Sequence, residues 1–250
     1  MIKHILLSFL ISILLLNPFN EKVLANNVKS SEPPSHQIWT ELLQEHVTED
    51  GMVDYKGFRD DKDKLLSYTK RLSDHPPADN WTENEKKAYL INTYNAFTVL
   101  LIVDNYPLES IKDIGGFLSS PFSKKFIKLG KDTYSLNDVE KGMLLKMGDA
   151  RVHFAVNCAS FSCPKLENEA FIPSRLDQQL NKATKVFLRS DKNQISEDEL
   201  RLSKIFKWYA SDFKEHSGSV INFINEHIDK NIPPDMDTDH LDYDWSLNEK

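Results

Sequence analysis

Ala88-Tyr89-Leu90-Ile91-Asn92-Thr93-Tyr94-Asn95-Ala96-Phe97-Thr98-Val99-Leu100-Leu101-Ile102-Val103 is the most hydrophobic helical run past the first 25 residues. Nearly every position is apolar, so a helix here has no face reserved for water and is buried on several sides. Thr82 and Glu85 supply a capping box at its start, and Asn105-Tyr106-Pro107 ends it. Two asparagines interrupt the run, Asn92 and Asn95, at i,i+3 spacing on one side. A buried carboxamide without partners costs about 2–7 kcal/mol, so both must hydrogen-bond. Either they tie adjacent loops to the core, or they orient a catalytic group or a ligand.

Amphipathic segments flank this helix. Ser35 reads as the N-cap of a helix with Ile38, Trp39, Leu42, Leu43 and Val47 on one face. Asp50-Gly51 signals a turn before a short extended piece at residues 52–55, and a second helix carries Leu65, Leu66, Tyr68 and Leu72. Residues 115–122 read as a surface loop, with a loop over a pocket as the alternative. Residues 126–135 read as a β-hairpin turning at Gly130-Lys131, and a helix with acids in its first turn follows from Asn137. Ser174 reads as the cap of another helix, residues 195–202 as a strand or hairpin, and residues 220–228 as the last helix. The fold class expected is α+β: a single domain of several helices around a small, mainly antiparallel sheet, with one buried central helix.

The chemistry is concentrated in Arg151-Val152-His153-Phe154-Ala155-Val156-Asn157-Cys158-Ala159-Ser160-Phe161-Ser162-Cys163-Pro164-Lys165-Leu166, which holds both cysteines of the chain. The β-branched and aromatic residues 152–156 predict a strand that delivers His153 and two thiols to the end of a sheet.

At the N-terminus, Lys3 precedes an apolar run at residues 5–16, and Val23-Leu24-Ala25 ends in a small residue. The pattern predicts a secretory signal peptide cleaved after Ala25. A polar leader then covers residues 26–35 and one globular domain residues 36–250, periplasmic or secreted, with no stable membrane anchor after cleavage. A formal charge of −7 argues against a nucleic-acid partner, which calls for a basic patch. No cofactor and no metal motif is read from the chain.

Five blocks in fixed order resemble a known family: residues 88–98, 135–140, 151–164, 205–213 and 243–248. They are similar to the domain of unknown function 547, found in bacteria and, with extra domains, in plants. The resemblance spans residues 38–248 and implies no activity. Where the family usually carries Ile-Glu-His, this chain has Val139-Glu140-Lys141. If that histidine serves the family as a base or ligand, this chain lacks it, since lysine is no metal ligand or neutral base without a large pKa depression.

Three readings of the cysteine stretch compete. In the first, a thiol-dependent hydrolase or acyl transferase, Cys163 precedes Pro164 as the N-cap of a helix whose field activates it. His153 is then the base, oriented by Asn92, Asn95 or Glu140. In the second, Cys158 and Cys163 form a structural disulfide in an oxidising compartment, within a non-catalytic binding or scaffold domain. In the third, His153, a cysteine and an acid hold a metal, but no second histidine or Cys-x-x-Cys pair supports it.

Overall fold

A computed structural model describes residues 32–116, 119–196 and 199–250. The expected signal peptide, most of the polar leader and residues 117–118 of the predicted loop lie outside the described residues. The architecture is mixed α+β with helices dominating.

Helix α1 (Gln37–His46), α2 (Tyr55–Asp60) and α3 (Lys62–Asp74) precede the long α4 (Glu83–Asn105), which is buried at every position from Lys87 to Val103. Its start is the capping box read from the sequence: the Thr82 N–H donates to Glu85 Oε2 at 2.7 Å and the Glu85 N–H to Thr82 Oγ1 at 3.3 Å. Trp39 of α1 stacks flat on Tyr68 of α3, and Tyr89 Oη donates to the Leu72 carbonyl, fastening α3 to α4. The hairpin follows as β1 (Ile127–Leu129) and β2 (Asp132–Tyr134), with Gly130 at φ +65° in the left-handed turn position that favours glycine.

Helix α5 (Leu136–Val139) runs into a π turn at Glu140–Leu144, then a 3-10 turn at Leu145–Met147. After the cysteine stretch come α6 (Leu176–Leu188), β3 (Gln194–Ile195), β4 (Leu200–Leu202), α7 (Lys204–Trp208), α8 (Ala210–Ser217), α9 (Val220–His227) and β5 (Asp239–His240). β3 pairs antiparallel with β4, and β4 parallel with β5. The tail then returns to the N-terminal half, where Tyr55 Oη donates to Asn248 Oδ1 at 2.7 Å. Two helix starts differ from expectation: His36, not Ser35, is the N-cap of α1, and α6 follows a 3-10 turn at Pro173–Arg175 rather than a Ser174 cap.

The larger correction is at His153. Residues Ala150–Phe154 form a 3-10 helix, not a strand. Asp149 caps it by accepting the Arg151 N–H, and the same carboxylate is gripped by Lys87 and the Arg151 guanidinium, each at 2.9 Å. Burial works against that charge. The hydrogen bonds from Arg151 and Lys87 outweigh it and hold the Asp149 carboxyl well below the usual carboxylate range. The alternation of Val152, Phe154 and Val156 does not mark a half-exposed strand, because this turn is buried on more than one side. Val152 joins the cluster around α4, while Phe154 joins a second cluster built from α6 to α9.

His36 gives this fold a pH dependence. It is buried beside Tyr68, whose hydroxyl lies 2.7 Å from Nδ1, and burial pushes its pKa down from 6.5 to about 4. The unfolded chain therefore takes up this proton first as pH falls. The contribution is fully present above about pH 6.5 and is lost progressively down to about pH 4, a total of about 3 kcal/mol. Urea unfolding of His36→Gln, which keeps a partner for Tyr68, is expected to show a curve flatter by that amount across this window. Parallel curves for the two proteins would refute the assignment.

Candidate functional site

The turn that carries the cysteines is fastened from inside the protein. Asn95 Nδ2 donates to the Ala155 carbonyl at 2.9 Å, and Asn95 Oδ1 accepts the Asn157 N–H at 2.9 Å. Asn157 continues the chain of bonds: its Oδ1 accepts the Ala159 N–H and its Nδ2 donates to the Pro164 carbonyl. Between them Ala159 is held at φ +59°, a left-handed conformation uncommon outside glycine. Such strain persists only where surrounding bonds over-determine it, and it gathers at functional sites. From the other side, the tail accepts the Phe161 N–H at Ser246 and the Ser162 N–H at Asp244.

This turn brings both cysteines to a cavity of about 310 Å³. The cysteines come within 2.7 Å of each other and are not bonded. Cys158 is half-buried, and its sulfur lies 3.1 Å from Ser160 Oγ and 3.3 Å from Tyr243 Oη. Cys163 lines the same cavity and is buried, and its sulfur accepts the Cys158 backbone N–H at 2.9 Å. Burial pushes the Cys158 thiol up, yet hydrogen bonds with Cys163, Ser160 and Tyr243 outweigh it and hold this thiol below its usual range. Burial and the neighbouring Cys158 sulfur push Cys163 well above that range. The expectation for Cys163 is therefore corrected. No helix begins at Pro164, so there is no helix field to activate this sulfur, and the thiol poised to ionise is Cys158.

His153 lines the same cavity. Its Nε2 pairs with Asp212 Oδ2 at 2.9 Å, and its ring lies under Tyr209 with centroids 4.1 Å apart. The hydrogen bond from His153 holds the Asp212 carboxyl below its ordinary value, so an anion accepts from an Nε2–H. In the neutral ring this arrangement leaves Nδ1 with its lone pair. No hydrogen bond joins His153 to either cysteine, and neither asparagine nor Glu140 orients it.

Glu140, the first residue of the π turn, is buried and also lines the cavity. The Tyr209 hydroxyl donates to its Oε1 at 2.7 Å. Burial, with Glu140 beside it, drives Tyr209 far above the usual phenol range and keeps it a donor. Tyr94, from the middle of α4, also lines the cavity. It is buried, its hydroxyl makes no hydrogen bond among the described residues, and burial raises that hydroxyl well above the ordinary phenol value. Lys141 is exposed and lines the cavity.

Asn92 does not belong to the site. Its Nδ2 donates to the Phe171 carbonyl and its Oδ1 accepts the Phe171 N–H, so it pins a different segment to α4. Asn95 acts only through the backbone it holds. The residues that sequence reasoning missed are Asp212, Tyr94, Tyr209 and Tyr243. The one cluster of metal-ligand types among the described residues, Glu45, His46 and Asp61, lies outside this cavity.

Residues 78–188 match the model of a family described as protein of unknown function, DUF547. The resemblance read from the sequence holds over this stretch, which contains α4, Glu140, His153 and both cysteines, and stops short of Tyr209, Asp212 and Tyr243. No curated protein and no solved structure matches the chain.

Proposed function

We propose that the cavity is the active site of a cysteine-dependent hydrolase or acyl transferase, with Cys158 as nucleophile and His153, held by Asp212, as its base. The observation that carries this reading is the placing of a hydrogen-bonded, half-buried thiol and a His–Asp pair on the walls of one cavity. In the first step the Cys158 sulfur bonds to an acyl carbon while His153 Nδ1 takes the thiol proton. That proton passes to the leaving group as its bond to carbon breaks, and a thioester remains. Water or another acceptor, deprotonated by His153, then attacks the thioester, and the proton returns to the sulfur. The backbone donors of the cysteine turn are largely committed, the Cys158 N–H to Cys163 and the Ala159 N–H to Asn157. The free hydroxyl of Tyr94 is the donor available to a developing oxyanion.

The test is covalent labelling. The purified chain, treated with p-nitrophenyl acetate and read by intact mass, is expected to acquire one acetyl group. The label should persist in Cys163→Ala and vanish in Cys158→Ala. Labelling that follows Cys163 instead, or labels neither cysteine, would overturn the reading.

A non-catalytic binding reading draws on one observation. Trp208 is 47% exposed, stacks on Trp245 and packs at a tilt against Tyr243, and all three line the cavity. A chain that binds ligands there but is never acylated would belong to that class. The setting we propose is outside the cytoplasm, on the pattern of residues 1–25.

A further inference from the structure

Cys163 has no part in the acyl chemistry. It is the more buried of the two cysteines, and it is not the thiol poised to ionise. Yet it is the nearest reactive group to Cys158, at 2.7 Å and unbonded. Its sulfur is held in place by the Cys158 N–H, and its own N–H is bound to the Ser160 carbonyl at 3.0 Å. A disulfide needs its sulfurs about 2.05 Å apart. From the present separation the bond closes without refolding the turn, which Asn95, Asn157 and the C-terminal tail already hold in shape.

We infer that Cys163 is a resolving thiol: when a hydroperoxide oxidises Cys158, Cys163 captures the product as a reversible Cys158–Cys163 disulfide. The inference shares with the proposed function only the premise that Cys158 is the reactive thiol. In the first step the Cys158 thiolate attacks the terminal oxygen of the hydroperoxide. An S–O bond forms, the O–O bond breaks, and the departing oxygen takes a proton as water or an alcohol. In the second step the Cys163 sulfur attacks the sulfenic sulfur. The S–S bond forms, the S–O bond breaks, and hydroxide leaves with the Cys163 proton as water. Two thiols are oxidised by two electrons and one peroxide is reduced.

Capture at this stage keeps Cys158 from the irreversible sulfinic and sulfonic acids. An external dithiol restores the pair. Both cysteines line the cavity, and Cys158 is the more exposed of the two, which suits this order of events. The cysteine pair is thus a reversible oxidative switch on the site, not a permanent staple.

The experiment uses the reduced full chain, treated with hydrogen peroxide, quenched with iodoacetamide and mapped by peptide mass. The native protein is expected to lose both free thiols together as a Cys158–Cys163 disulfide, and dithiothreitol should restore both. In Cys163→Ser, Cys158 should instead accumulate as sulfinic and sulfonic acid that dithiothreitol does not reverse. Sulfinic acid at Cys158 of the native protein with Cys163 still open to alkylation overturns the inference, as does survival of both thiols. The native protein decides the matter even where the serine variant does not fold. A chain that is acetylated at Cys158 but never cross-links refutes only this inference. One that cross-links but is never acetylated refutes only the hydrolase or transferase reading.

Discussion

His153→Gln is expected to slow acetylation of Cys158 about 10²–10⁴-fold, the usual share of a positioned general base. Glutamine keeps a side-chain amide within reach of Asp212 and fills much of the imidazole volume, but it accepts no proton near neutral pH. The thiol in the variant keeps its bonds to Ser160 and Tyr243, so its reactivity toward a strong alkylating agent should fall far less. That contrast separates loss of the base from collapse of the site. Equal rates of acetylation in the variant and the native chain would remove His153 from the mechanism and leave a reactive thiol without a partner.

The parts of this protein that were legible in the sequence are those written in local chemistry. Thr82 and Glu85 announce the start of α4, and the apolar run from Ala88 to Val103 announces its burial, because each signal needs only neighbours along the helix. Gly130 likewise marks the hairpin turn at residues 127–134. The stretch around His153 misled because β-branched and aromatic residues in alternation read as a strand only if one face meets water. Here a capped 3-10 turn feeds side chains into two separate hydrophobic clusters, and nothing local distinguishes the two cases.

The site was half legible for the same reason. His153, Glu140 and both cysteines stand out by type within single blocks. Asp212 meets His153 from 59 positions away, and Tyr243 meets Cys158 from 85. Both lie in blocks that stand out in the sequence, residues 205–213 and 243–248, but nothing local to either block says that it faces the cysteine turn. The choice between Cys158 and Cys163 turned on a helix expected after Pro164, which the fold does not make. Asn92 and Asn95 were rightly placed inside the domain, since an amide in an apolar helix must find partners. Which backbone each would find is set by tertiary packing alone.

Phe154→Ala is expected to lower stability by about 3–5 kcal/mol, the range for deleting a buried phenylalanine. The ring is 1% exposed and packs against Phe187, Phe206, Phe213 and Phe223, with centroids 5.0–5.9 Å away. Those partners come from α6, α7, α8 and α9, so no single element can move in to fill the gap. The cavity left behind should stay largely open, which places the cost in the upper part of that range. Phe154 also links stability to the site. It follows His153 directly, and its neighbour Phe213 follows Asp212, so the packing of two phenylalanine rings sets the approach of the His–Asp pair. Phe154→Leu, which removes less volume, should lose less stability and keep more of the acetylation rate. Urea unfolding of both variants checks the order. A loss for Phe154→Ala within about 0.5 kcal/mol, as at a surface position, would mean that the α6–α9 cluster does not depend on this ring and that the site is positioned from the α4 side alone.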